Sequence, residues 1–238
     1  MKKNIPSVSF IIPFLNEEKN LNATYKTLKK IITYFKIKDY ELIFVNDGST
    51  DNSEKLVLNF KKIDKKIKYL SHKFNKGLGV TYKTGYINAS KEYVIGVAGD
   101  NEHSFSGLKP IFVDYYKYDL IIPYIKNKTK RTKIRNLISS MYVLFLNILF
   151  LHNLRYYNGT TLIKKKLLTK FIHKVNNTTM TFSSEIVIRC LMKTKNFKVV
   201  GYSLNINRNN EVSSAFKIKN ILFGIFYIFK LRIKLLGS

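Results

Sequence analysis

Between residues 7 and 125 the chain repeats one pattern: a short, almost purely apolar run, a polar turn, then a stretch with helical spacing. The runs are residues 7–13 (SVSFIIP), 40–45 (YELIFV), 67–71, 93–98 (YVIGVA) and 119–125. Near-continuous apolar runs of this length are expected of strands buried on both faces of a parallel sheet. Between the first two, Leu21, Tyr25, Leu28, Ile32 and Phe35 form a stripe at 3.6-residue spacing, and residues 53–62 and 77–89 supply two further helices. The alternation predicts an α/β fold with a mostly parallel central sheet and helices on both faces. Ligands of such sheets sit beyond the carboxyl ends of the strands.

The second half is less regular. Residues 126–135 read as a basic loop, 136–151 as a hydrophobic helix, 160–164 as a strand, 183–194 as a helix and 197–206 as a strand. The chain divides into a domain over residues 1–215, with halves 1–125 and 126–215, and a basic amphipathic tail, 216–238. The apolar run near the amino terminus is cut by Pro13 and meets Asn16, Glu17 and Glu18, so it reads as a strand rather than a secretory signal. Residues 137–151 span about 22 Å as a helix, short of the roughly 30 Å of a bilayer core. The single cysteine, Cys190, excludes an internal disulfide and points to a reducing compartment.

Charge is unevenly placed. There are 42 Lys and Arg against 15 Asp and Glu, and residues 121–238 contain only two acids, Glu185 and Glu211. Such a field attracts polyanions: anionic lipid headgroups, phosphorylated ligands or nucleic acid. Lys outnumbers Arg by 36 to 6, so a solvated lysine-rich surface explains part of it. No nucleic-acid-binding motif accompanies the charge, which sets nucleic acid aside as a partner. The four histidines, at 72, 103, 152 and 173, show no zinc spacing and read as structural, with His103 nearest the expected site.

Four polar turns fall where strand ends should converge: Pro13-Phe14-Leu15-Asn16-Glu17-Glu18, Asp47-Gly48-Ser49-Thr50-Asp51, Asn75-Lys76-Gly77-Leu78-Gly79 and Gly99-Asp100-Asn101-Glu102. Each alone is an ordinary turn; four at one sheet edge suit a nucleotide-sugar. Asp47 can accept hydrogen bonds from a base N–H or ribose hydroxyls. Gly77 and Gly79 allow close backbone approach to a ligand ahead of a helix N-terminus. Asp100 and Glu102 suit a hard divalent cation, Mg²⁺ or Mn²⁺, bridging a diphosphate.

In their order and spacing these stretches, with Gly85 following, resemble the family-2 glycosyltransferases of GT-A fold, in pattern the dolichyl- and polyprenyl-phosphate sugar synthases most closely. The resemblance covers residues 7–107 and, more loosely, residues to about 215. It implies a UDP- or GDP-sugar donor, with Pro13, Glu17 and Asp47 at the nucleoside, Asn16, Asn75, Gly77 and Gly79 in the donor-binding turns, and Asp100 at the metal as a catalytic residue. It also implies that Arg135 and Ser139 hold an acceptor phosphate, that Asn158-Gly159 is the turn before a strand, and that Arg208 lies near a diphosphate-contacting arginine. Two departures stand out. The usual D-x-D-x-Q reads Ala98-Gly-Asp100-Asn-Glu102, keeping two carboxylates, and the late R-x-x-G-x-S-K reads Arg208-Asn-Asn-Glu-Val-Ser-Ser. Ala98 leaves open a non-catalytic relative.

Inverting transfer needs the leaving nucleoside diphosphate stabilised, and a hydroxyl acceptor also needs a general base. A phosphate acceptor needs cations instead. The loop cations Lys126, Lys128, Lys130, Arg131, Lys133 and Arg135 favour a lipid phosphate; if the acceptor is a saccharide hydroxyl, Glu185 is the base candidate. Residues 137–151 and 217–236 are either core helices or elements lying in the interface of an anionic membrane, which would place the protein peripherally on the cytoplasmic side.

Overall fold

The computed structural model describes residues 5–127, 132–179, 181–205 and 218–236. Seven strands form one sheet: β1 (Val8–Phe14), β2 (Tyr40–Asn46), β3 (Ile67–Ser71), β4 (Tyr93–Gly96), β5 (Leu120–Ile125), β6 (Leu162–Lys164) and β7 (Phe197–Tyr202), in the order β3-β2-β1-β4-β6-β5-β7. β1 pairs in parallel with β2 and β4, β2 with β3, and β5 with β7; β6 alone runs antiparallel to both its neighbours. The mostly parallel sheet expected from the apolar runs is therefore what forms. All seven residues of β1 are buried, because both faces are covered.

Alternate side chains feed two cores, as the two-residue period of a strand requires. Val8, Phe10 and Ile12 pack with Leu42, Phe44 and Ile95 on the face covered by α1 (Leu21–Tyr34), α2 (Ser53–Ile63) and α4 (Phe105–Phe112). Ile11, Ile43, Val45 and Val94 face the other core, with α3 (Leu78–Asn88), α5 (Lys133–Phe150), α6 (Lys165–Leu168), α7 (Phe182–Leu191) and α8 (Ile218–Leu236). Cys190 is fully buried in α7, and burial pushes its thiol pKa up.

The strand edge away from the polar turns is stitched by Glu41. One carboxylate oxygen accepts from Ser9 Oγ (2.6 Å) and from the Ser90 backbone N–H (2.6 Å), and the other pairs with Lys68 (2.6 Å). Burial would raise its pKa, but these donors outweigh that and hold it below the usual carboxylate range.

Two elements differ from expectation. The helix α4 was not signalled, because it is short and contains Gly107 and Pro110; Ser104 caps it by accepting from the Gly107 N–H at 3.1 Å. The hydrophobic helix begins at Lys133 rather than 136, with Thr132 as its cap. At 18 residues it is long and apolar enough to cross a membrane, and only 11% of it is buried. The helix is two-sided: Leu146 and Phe150 are buried and Tyr142, Val143, Phe145 and Leu149 pack against the second core, while Ile134, Leu137, Met141, Leu144 and Ile148 are exposed.

Candidate functional site

Parallel pairing of β1, β2, β3 and β4 delivers the four polar turns to one edge, and hydrogen bonds join them. Asn16, in the left-handed region at φ 56°, accepts from the Thr50 N–H at 2.8 Å and donates its own N–H to Ser49 Oγ at 3.0 Å. The Glu17 N–H reaches Ser53 Oγ (2.8 Å), and the Glu18 N–H reaches Asp51 (3.2 Å). Glu17 also accepts from Asn20 at 2.7 Å. Gly99 N–H donates to Pro13 O at 2.9 Å, which ties the acidic turn to the first turn.

Asp47 is 5% exposed, and its carboxylate is largely committed within the protein. One oxygen takes His72 Nδ1 at 2.7 Å and the Lys76 N–H at 3.0 Å; the other takes the Gly77 N–H at 3.0 Å. A carboxylate offers about four lone-pair sites, so about one is left for a nucleoside donor. His72 is held from behind by Thr84 Oγ1 at 3.0 Å, on α3.

Gly77 needs its glycine for φ +91°. The close approach expected at Gly77 and Gly79 is made to the protein itself. A Cβ at 79 would meet Asn177 O at 2.3 Å, and one at 77 would meet Thr178 O at 2.9 Å. The Gly79 N–H already donates to Thr178 O at 3.3 Å, so the first turn of α3 is partly occupied by the chain's own backbone. Asn75 is exposed and accepts from the Gly77 N–H at 2.9 Å.

In the acidic turn, Asn101 sits at φ 55°, and Asp100 accepts the Glu102 N–H at 3.0 Å. Asp100 and Glu102 are half-buried, and both lie close enough to Tyr82 on α3 to help raise its phenol pKa, after burial and Tyr86. Among the described residues no cluster of three His, Cys, Asp or Glu forms around a metal position. Two hard carboxylates on one turn nonetheless fit Mg²⁺ or Mn²⁺, which complete their shell with phosphate oxygens and water. The methyl of Ala98 contributes no ligand. His103, 6% exposed, bonds Thr160 Oγ1 at 2.8 Å and braces the turn against Tyr202.

Arg135 and Ser139 lie one turn apart on α5, both half-buried. Hydrogen bonds run from α5 to the turn before β6, Tyr142 to Ser184 (3.0 Å) and Ser184 to Asn158 (2.6 Å), and two residues further along that turn Thr160 bonds His103, next to Glu102. Glu185 does not act as an available base here. It is 0% exposed, and its two oxygens accept from Arg189 Nε and Tyr227 OH, each at 2.8 Å, so it locks α7 to α8. Arg208, Lys128, Lys130 and Arg131 lie outside the described residues.

A family model for glycosyl transferase family 2 matches residues 9–183, well over half of the chain. The chain belongs to glycosyl transferase family 2. Within it, the chain is 32% identical over 141 residues to CsbB of Bacillus subtilis, covering 59% of this chain and 42% of that one. It is 31% identical over 100 residues to a dolichyl-phosphate beta-glucosyltransferase of Trichomonas vaginalis, covering 39% and 30%. It thus spans less than half the length of the curated relatives it matches. The fold is GT-A, shared with glucosyl-3-phosphoglycerate synthase from Mycobacterium tuberculosis in complex with Mn²⁺, UDP and glucosyl-3-phosphoglycerate: TM-score 0.69, 15% identity, 95% of this chain and 80% of that one. S. aureus TarS in complex with UDP-GlcNAc gives a TM-score of 0.66 at 18% identity over 95% and 66%.

Two residues of this family-2 chain escaped the sequence reading. His72 carried no metal spacing, and its contact with Asp47 depends on strand pairing 25 residues apart. Tyr82 reads as an ordinary helix aromatic, and its proximity to the acidic turn arises from how α3 lies on the sheet.

Proposed function

We propose that this family-2 glycosyltransferase transfers a sugar from a nucleoside-diphosphate donor to a lipid phosphate of the polyprenyl or dolichyl type. One observation carries the donor half: all four polar turns meet at the carboxyl edge of β1–β4 and are hydrogen-bonded into one surface. On that surface Pro13, Asn16, Glu17 and the remaining lone pair of Asp47 face the nucleoside. Asn75 and Gly77 shape the wall beside it. Asp100 and Glu102 would hold Mg²⁺ or Mn²⁺, which when bound supplies Lewis-acid stabilisation of the leaving diphosphate.

The acceptor half rests on charge and on the state of Glu185. A hydroxyl acceptor needs a base within hydrogen-bond reach, and Glu185 is sealed between Arg189 and Tyr227. A phosphate is already anionic and needs positioning rather than deprotonation. Arg135 and Ser139 supply a guanidinium and a hydroxyl on one helix face. The exposed apolar face of α5 and the surrounding basic surface suit peripheral attachment to the cytoplasmic face of an anionic membrane.

The test is a thermal-shift and turnover screen of UDP- and GDP-sugars with Mg²⁺ or Mn²⁺, using polyprenyl phosphate and oligosaccharides as acceptors. Arg135→Ala should cut turnover with donor affinity intact. Transfer to a saccharide hydroxyl alone would overturn the acceptor half, and no nucleotide-sugar binding would overturn both.

A further inference from the structure

Beside α5 runs a groove lined by Ser139, Ser140, Val143, Leu144, Asn147 and Arg155. Its second wall, the loop after α5, is pinned to the helix. Asn147 accepts the Leu154 N–H (3.1 Å), donates to Leu154 O (2.9 Å) and accepts from Tyr157 OH (2.8 Å). Arg155 projects from this fixed loop with its guanidinium 4.9 Å over the ring of Tyr124, near the carboxyl end of β5. Among the described residues no carboxylate pairs with it, and Glu185 is taken by Arg189. An exposed arginine stacked on an aromatic face, without a counter-ion and beside two serine hydroxyls, is prepared for an oxyanion.

The groove's other character is apolar. Leu144, at its rim, belongs to the exposed row Ile134, Leu137, Met141, Leu144 and Ile148, spaced alternately three and four residues apart and so on one helix face. A free anion would leave that row uncovered; an anion carrying a hydrocarbon chain would cover both.

We propose that this groove binds a lipid-borne phosphate, with Arg155 and Ser140 as phosphate ligands alongside Ser139 and the chain lying along the α5 row. This rests on the lipid-phosphate reading of the acceptor. The lipid is the polyprenyl phosphate acceptor, and the headgroup of an anionic phospholipid is the rival that the test separates from it.

The experiment is co-sedimentation of the full chain with phosphatidylcholine vesicles containing either polyprenyl phosphate or phosphatidylglycerol. Arg155→Ala and Ser140→Ala are compared with Lys230→Ala, which removes one exposed charge from α8. Arg155→Ala should weaken binding to the polyprenyl phosphate vesicles by roughly 10-fold or more, and Ser140→Ala by several-fold. Lys230→Ala should lose no more than the ~5-fold due to one charge near a surface. A loss beyond Lys230→Ala confined to polyprenyl phosphate supports the assignment; the same excess on both vesicles gives the groove to a phospholipid headgroup and overturns it as the acceptor's. Arg155→Ala no worse than Lys230→Ala on both vesicles, or Ser140→Ala equal to wild type on both, would overturn the groove. If the wild type transfers sugar to polyprenyl phosphate and Arg155→Ala does so with unchanged KM, the groove fails while the acceptor reading stands. If the wild type transfers none, the acceptor reading fails and the vesicle arms still judge the groove.

Discussion

Replacing Asp47 by alanine removes three accepted hydrogen bonds, but their losses are unequal. The Gly77 N–H keeps a second acceptor, Asn75 Oδ1 at 2.9 Å. Lys76 lies in an exposed loop, where water can take its N–H. His72 Nδ1 has no such substitute, because its side chain is 7% exposed and its other nitrogen is taken by Thr84. The stability cost is therefore about one hydrogen bond to a charged acceptor, ~1.5–3 kcal/mol. For a chain of this size that lowers Tm by roughly 3–12 °C. If the remaining lone pair of Asp47 accepts from the nucleoside, nucleotide Kd rises by a further ~10- to 150-fold. His72→Ala breaks the same internal bond while leaving the carboxylate, so it should match the Tm loss and change Kd only a few-fold. Calorimetric titration and thermal unfolding of both variants decide the matter. Equal loss of nucleotide affinity in the two would show that Asp47 acts only by shaping the loop. An unchanged Kd in Asp47→Ala would remove it from the donor site altogether.

Glu102→Gln should raise the Mg²⁺ or Mn²⁺ concentration for half-maximal turnover by about tenfold or more, since even outer-shell losses cost that much; no change would make Glu102 a bystander. Glu185→Ala should lower Tm by roughly 6–20 °C, from the ~3–5 kcal/mol of a broken buried pair, yet leave turnover per folded molecule unaltered; a large turnover loss at constant Tm would restore it as the base. Glu41→Gln should destabilise the protein at pH 7 by about 1.5–3 kcal/mol. Because the folded pKa of Glu41 is depressed, that contribution is full above the unfolded value near 4.3 and is lost as pH falls through the folded one. The gap between wild type and variant should therefore close in acid; a gap that persists there would assign the effect to packing.

The first half of the fold was legible because it is locally determined. An apolar run such as residues 8–14 can be nothing but a doubly covered strand once a turn and an amphipathic helix follow it. The convergence of the four turns followed from parallel pairing alone. What was not legible depends on distant partners. Glu41 reads as one acid in an apolar run, and only the sheet order brings Ser9, Lys68 and Ser90 around it. Glu185 looked like a candidate base because it is nearly the only acid in its half; α8 packing against α7 turned it into a buried clamp. The glycines at 77 and 79 signalled close approach, but not that the approaching group is the backbone of residues 177–178.

The buried thiol of Cys190 has a practical consequence. It is the only thiol in the chain, and it sits fully buried near the C-terminal end of α7, directly after Arg189 of the Glu185–Arg189 pair. A thiol reagent needs the thiolate and a path to it, and the folded chain offers neither. Labelling of the native protein therefore becomes a single-site clock for the opening of α7. Its rate at increasing denaturant would report whether that helix detaches alone or only when the whole sheet comes apart.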